Sequence, residues 1–230
     1  MYVPRHFSLP EDYARALLAN PGVGNLVTVI ASGPEATMVP FYLDEEKNAL
    51  VTHLVKNNPQ AAEPPRGPGL IILDDVDAYV PPHWYATNKV KANVPTWDYI
   101  TIHVRGAVRI DPSPEAALTA ACRLTEMMET DDVLTPVGQD KLRRMARAIV
   151  AVEVSLDEVR GKAKMSQNRH PDDIRSLIAA LEEQGQDVLV DYLRTVSLPY
   201  AEERLATITA LRGARAAREV MSARHPCAGM

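Results

Sequence analysis

Between residues 23 and 110, apolar and polar positions alternate in short runs. NLVTVIA (25–31), EATMVPFYL (35–43), NALVTHL (48–54), GLIILDD (69–75) and TWDYITIHVRGAVRI (96–110) each read as a strand. A period of two places every other side chain on one face, and glycine, proline, aspartate and asparagine punctuate the runs. One helical pattern precedes them, at about 11–20. Short strands at this spacing predict a small antiparallel barrel. VKNNPQAAEPPRGPG (55–69) is too rich in proline for a strand and reads as a loop.

The period then changes. SPEAALTAACRLTEMM opens on a serine cap and a first-turn proline, with Leu118, Ala121, Cys122 and Thr125 at helical spacing. Leu142, Met145, Ala146 and Ile149 repeat that spacing. The β-branched run within 148–159 predicts a strand returning to the barrel. HPDDIRSLIAALEEQG begins with Pro171 and two aspartates and stops at Gly185, as a helix should, with Ile174, Leu177, Ile178 and Leu181 as its stripe. Residues 187–196 and 199–224 read as two more helices. No segment repeats at the period of a solenoid.

Composition narrows the function classes. The chain has 230 residues, 46% hydrophobic and 24% charged, enough for one elaborate domain or two small ones. No apolar run approaches the ~20 residues that cross a bilayer, and the first residues hold no long apolar segment. The expectation is a cytoplasmic protein with no membrane partner. Cys122 and Cys227 stand far apart without metal-type spacing, which argues against a disulfide framework or a cysteine zinc site. The net charge of −5 does not favour binding of a phosphate backbone by the whole surface. Arg204, Arg212, Arg215, Arg218 and Arg224, against Glu219, form a basic stretch. It reads either as a solvated helical face or as a surface for DNA or an acidic partner.

Four islands of polar and aromatic residues interrupt these patterns. THLVKNNPQ (52–60) places His53, Lys56, Asn57 and Asn58 at a strand end. DAYVPPHWYATN (77–88) carries His83, Trp84 and Tyr85, and NVPTWDYITIHVRG (93–106) carries Thr96, Trp97, Asp98 and Tyr99. Aromatic residues are only 5% of the chain, yet both tryptophans fall in these two stretches. The rings are either core or interface anchors, or flat walls for a planar cofactor whose edge needs donors and acceptors. GKAKMSQNRH (161–170) supplies Lys164, Ser166, Gln167 and Arg169 just ahead of a helix start, either a capped loop or an anion site. No G-x-G-x-x-G, P-loop, H-E-x-x-H or G-x-S-x-G signature occurs.

These islands, with MYVPRHF (1–7) and ATMVPF (36–41), resemble the PaiB-type family in order and separation, over about three quarters of the chain. The resemblance implies an α+β protein: a six-stranded antiparallel split β-barrel of the FMN-binding type with peripheral and C-terminal helices. The barrel domain would span 1–170 with a helical insertion at about 113–147, followed by a helical extension at 171–230. It implies a homodimer with FMN at the subunit interface and oxidoreductase chemistry on a small-molecule substrate. His53, Lys56, Asn57, Asn58, Trp84, Tyr85, Thr96, Trp97, Tyr99, Lys164, Ser166, Gln167 and Arg169 would surround the cofactor, and Asp98 and His83 would serve as acid/base groups. The alternatives it implies are a haem b enzyme resembling the piperazate synthases, which form a nitrogen–nitrogen bond, and a transcriptional regulator without catalysis. His53 would be the iron ligand, with His83 and His103 behind it. The chain departs from the family pattern at Asp98, where asparagine is usual, and at Thr52, where glycine is usual. Ala61 replaces a common aromatic, and ILDDVDAY carries acids at a small turn.

Overall fold

The computed structural model describes the backbone of residues 1–223 and the side chains through residue 216. The side chains of Arg218 and Glu219, and all of Arg224 and Cys227, lie outside the described residues. After helix α1 (Glu11–Ala19) come strands β1 (Val23–Ile30), β2 (Gly33–Pro40), β3 (Tyr42–Asp44) and β4 (Ala49–Val55). A short helix α2 (Pro59–Ala62) and the long strand β5 (Gly69–Val80) follow. Next are β6 (Thr96–Gly106), β7 (Val108–Asp111), helices α3 (Pro114–Met128) and α4 (Gln139–Ala146), and strands β8 (Ile149–Ser155) and β9 (Glu158–Lys164). Helices α5 (Pro171–Glu182), α6 (Asp187–Tyr192) and α7 (Leu198–Ala223) complete the order.

The strands form two antiparallel sheets, β2-β1-β5-β6-β9 and β3-β4-β8-β7. Nine strands are therefore present among the described residues, where the family resemblance implies six. Part of the difference lies in the 96–110 run, which breaks into β6 and β7 at Ala107 so that one stretch serves both sheets. Gly106 makes that corner possible: a Cβ there would lie 1.7 Å from the carbonyl oxygen of Ser155. The Ser155 hydroxyl accepts from the Ala107 N–H at 2.9 Å and pins the bend. The 55–69 loop contains helix α2, started by Pro59 and capped by the Asn58 side chain, which accepts from the Gln60 N–H.

Contacts divide the chain into two compact units: residues 1–75 with 100–163, and residues 76–99 with those from 164 onward. In the first unit, β4 and β8 bury both faces. Leu50, Leu54, Val152 and Val154 lie on one face, while Val51 and Ala151 on the other meet Ala120 and Leu124 of α3. Gln60 ties α2 to the first sheet, since its amide donates to Leu26 O at 3.1 Å, Thr28 Oγ1 at 2.9 Å and Glu35 O at 3.2 Å.

In the second unit α5 buries the predicted stripe Ile174, Leu177, Ile178 and Leu181. The Asp173 carboxylate, also buried, takes the Thr87 N–H at 2.8 Å and the Thr87 hydroxyl at 2.9 Å. The expected break between helices near residue 198 is absent: a π turn over Leu193–Ser197 joins α6 to α7. Pro199 has no N–H to give the preceding turn, and the wider turn lets the Leu198 N–H reach Leu193 O instead.

Candidate functional site

The second unit holds most of the predicted site residues, and hydrogen bonds join several of them around Asp98. Strand β6 begins at Thr96, so its alternation turns Asp98 inward while Trp97 stays 53% exposed. Strand β9 ends at Lys164, and Ser166 follows with a left-handed φ of 58°. That conformation is uncommon for a residue with a side chain, and here the side chain is held. The Ser166 hydroxyl donates to Asp98 Oδ2 at 2.7 Å. The Lys164 ammonium donates to the Thr96 hydroxyl at 2.5 Å and to the Trp97 carbonyl, and lies 3.7 Å from Asp98 Oδ1.

Asp98 is 1% exposed, and its Oδ1 has no hydrogen-bond partner. Burial disfavours the charged form and pushes this carboxyl up to about 6, against the downward pull of the Ser166 hydrogen bond and the Lys164 and Arg169 charges. The two oxygens are inequivalent. Oδ2 accepts from Ser166, while Oδ1 faces the Lys164 ammonium at 3.7 Å. When protonated, Asp98 offers an O–H donor, much as the asparagine of the resembled motif offers an N–H.

Arg169 joins the cluster, since its charge acts on Asp98. Its guanidinium stacks 4.2 Å from the centre of the Tyr85 ring and donates to Asn93 Oδ1 at 3.1 Å. Tyr85 is buried, and burial raises its pKa against the pull of the nearby Arg169 charge. Asn93 also donates its backbone N–H to Asn88 Oδ1 at 2.7 Å, which fixes the loop carrying Trp84 and Tyr85. Neither Asn93, a lone polar residue in a loop, nor Asp173, which reads as an ordinary first-turn acid of α5, was visible as a functional position. Gln167 is buried and accepts from the Met165 N–H at 2.9 Å, which shapes the turn. His83 sits exposed on a 3-10 turn with Trp84 edge-on at 6.2 Å. Tyr99 is half-buried on β6.

The remaining predicted residues belong to the first unit. Lys56 and Asn57 are exposed at the end of β4. Asn58 has both polar ends engaged, with Nδ2 donating to Thr37 Oγ1 at 2.9 Å and Oδ1 accepting from Gln60 N at 2.9 Å. Its role in the fold is thus to cap α2 and hold it to β2. His53 lies under α3 and α4, with Nδ1 buried and unpartnered and its pKa lowered by burial. Leu118, Ala121, Leu142, Met145 and Ile149 line the cavity beside it. His103, half-buried on β6, has its pKa lowered mainly by burial. Among the described residues no group of three or more histidine, cysteine, aspartate or glutamate side chains is placed to hold a metal ion.

The Thr96–Trp97–Lys164 corner combines a flat apolar face with polar groups. It presents a half-exposed indole, braced by the Tyr79 ring at 5.8 Å, beside an ammonium, a hydroxyl and an orphaned carboxyl oxygen. A flat apolar ring system with a polar edge needs that combination.

Residues 1–158 match a family model described as "Putative FMN-binding domain", and the chain belongs to that family. The Lys164–Arg169 stretch lies beyond the matched residues. Among curated relatives, the protease synthase and sporulation protein PAI 2 of Bacillus subtilis is 26% identical over 196 residues, 79% of this chain and 89% of that protein. An uncharacterized protein of Emericella nidulans is 28% identical over 231 aligned positions, 79% of this chain and 90% of that protein. The flavocytochrome Anf3 from Azotobacter vinelandii shares the fold with a TM-score of 0.54 at 12% identity, over 70% of this chain and 72% of that one. The FAD and heme binding protein from Mycobacterium smegmatis does so with a TM-score of 0.51 at 15% identity, over 70% and 74%. The PaiB-type resemblance and the split-barrel relationship rest on these matches. No described helix is long and apolar enough to cross a membrane.

Proposed function

We propose that this chain is an FMN-dependent oxidoreductase acting on a small molecule as a homodimer, its barrel reducing to the six-stranded core of the split-barrel family. The observation that carries the reading is the buried Asp98 carboxyl held between Ser166 and Lys164 beside an exposed indole, in a chain of the FMN-binding family. FMN, when bound, would supply electron transfer to or from the substrate.

The protein's own residues do the rest. Trp97 offers a flat face, and Lys164 places a fixed positive charge beside it, suited to an anionic or electron-rich edge. Arg169 adds a second charge while stacked on Tyr85. Burial pushes the Asp98 carboxyl up to about 6, so it changes protonation near there. A group that titrates there can give or take a proton near neutrality, the requirement for general acid–base work. Lys56 and Asn57, exposed donors on the first unit, are open to an anionic group.

Flavin fluorescence titration of the wild type and of Lys164→Ala tests the assignment. The expected result is FMN binding weakened about tenfold in the variant, the loss of roughly one charge-assisted contact. Equal affinity would remove Lys164 from the site.

A further inference from the structure

The cavity over His53 belongs to the first unit, shares no lining residue with the Asp98 cluster and is independent of the flavin reading. It measures about 510 Å³ and lies among α3, α4 and the outer face of β4 and β8. Leu118, Ala121, Leu142, Met145 and Ile149 make its walls apolar. His53 brings a buried Nδ1 with no partner, and Lys141 is the cation among the lining residues. A polar nitrogen left unsatisfied in an apolar wall costs free energy, unless something that enters the hollow satisfies it.

A neighbouring hollow of about 570 Å³ is lined partly by the same residues, including Cys122, Thr125, Val133, Leu134 and Leu142. Its character is opposite. Glu126, Glu129, Asp131 and Asp132 line it, and no lysine or arginine does. Arg123 pairs with Glu126 at 3.5 Å, and Asp132 is occupied by the Leu134 and Thr135 N–H groups, which leaves Glu129 and Asp131 as exposed carboxylates with no ion-pair partner among the described residues. The C-terminal end of α3 points its last carbonyls at the same place, since the helix ends at Met128 with Glu129 as its cap, and such ends favour cations.

We propose that the two hollows together bind an amphipathic primary amine, its apolar body in the His53 cavity and its ammonium among the carboxylates that follow α3. Charge decides the class. An apolar acid would meet Lys141 at one wall but four carboxylates next door, whereas an amine finds complementary charge at the rim and apolar walls beyond it. The orphaned His53 nitrogen further favours a molecule with a second donor group, such as a hydroxyl, toward its buried end.

Isothermal titration of the full chain with octylamine, octanol and octanoate tests the proposal. Octylamine is expected to bind one per chain, with octanoate at least tenfold weaker and octanol between them. Neutralising the rim with Glu126→Gln, Glu129→Gln and Asp131→Asn together, all exposed positions, should weaken octylamine about tenfold and leave octanol unchanged. Ala121→Phe, which fills the cavity, should abolish binding of both. Octylamine that fails to bind, binds no better than octanoate, or ignores the rim variant overturns the proposal. FMN binding by the same preparation is read separately, so failure here leaves the flavin reading standing, and the reverse also holds.

Discussion

Asp98 and Gln60 are two buried polar side chains with opposite fates. Gln60 spends every donor and acceptor inside the fold, on β1, β2 and Thr37, while Asp98 keeps one oxygen free. Gln60→Ala removes these bonds and leaves a void, so a destabilisation of about 2–3 kcal/mol is expected in urea melts. Asn57→Ala, at an exposed position, should cost less than about 0.5 kcal/mol. For Asp98 the consequence is a pH dependence. Its folded pKa of about 6 lies above the unfolded 3.8, so the folded state binds the extra proton between those values. Its contribution to stability is therefore full below about pH 4 and is lost as pH rises through 6, a difference of about 3 kcal/mol. Asp98→Asn lacks this contribution. Denaturation of both proteins at pH 4 and pH 7 should show the variant gaining about that much on the wild type at the higher pH. Parallel pH profiles would mean that the carboxyl titrates normally. The sequence motif gave Asp98 and Ser166 as candidates, but not their hydrogen bond, because they lie 68 positions apart and only strand pairing brings them together.

At the scale of elements, alternation and capping predicted most of the chain. Strands β1, β2 and β4 and helices α3 and α5 fall within a few residues of their predicted spans, since each carries a clear period and a recognisable start. What escaped prediction depends on contacts distant in sequence. The division of 96–110 into β6 and β7 follows from the approach of Gly106 to Ser155, and the π turn before α7 follows from Pro199 in a helix held by packing. Gly106→Ala would force a Cβ into the Ser155 backbone, and a loss of about 3 kcal/mol or more is expected in thermal melts. A loss under 1 kcal/mol would show that the corner can open.

For the whole molecule, family membership and the barrel relationship were legible because six motifs keep their order and spacing along the chain. The arrangement of the cluster was not, since Asn93, Arg169 and Tyr85 interlock through loops that carry no periodic signal. The central claim concerns cofactor and assembly together, and one measurement addresses both. Sedimentation velocity of the protein with a slight excess of FMN, recorded at the flavin absorbance near about 450 nm, is predicted to show flavin moving with a species of two 25.3 kDa chains. Flavin that stays at the speed of the free molecule, while the folded protein sediments without colour, would contradict the account.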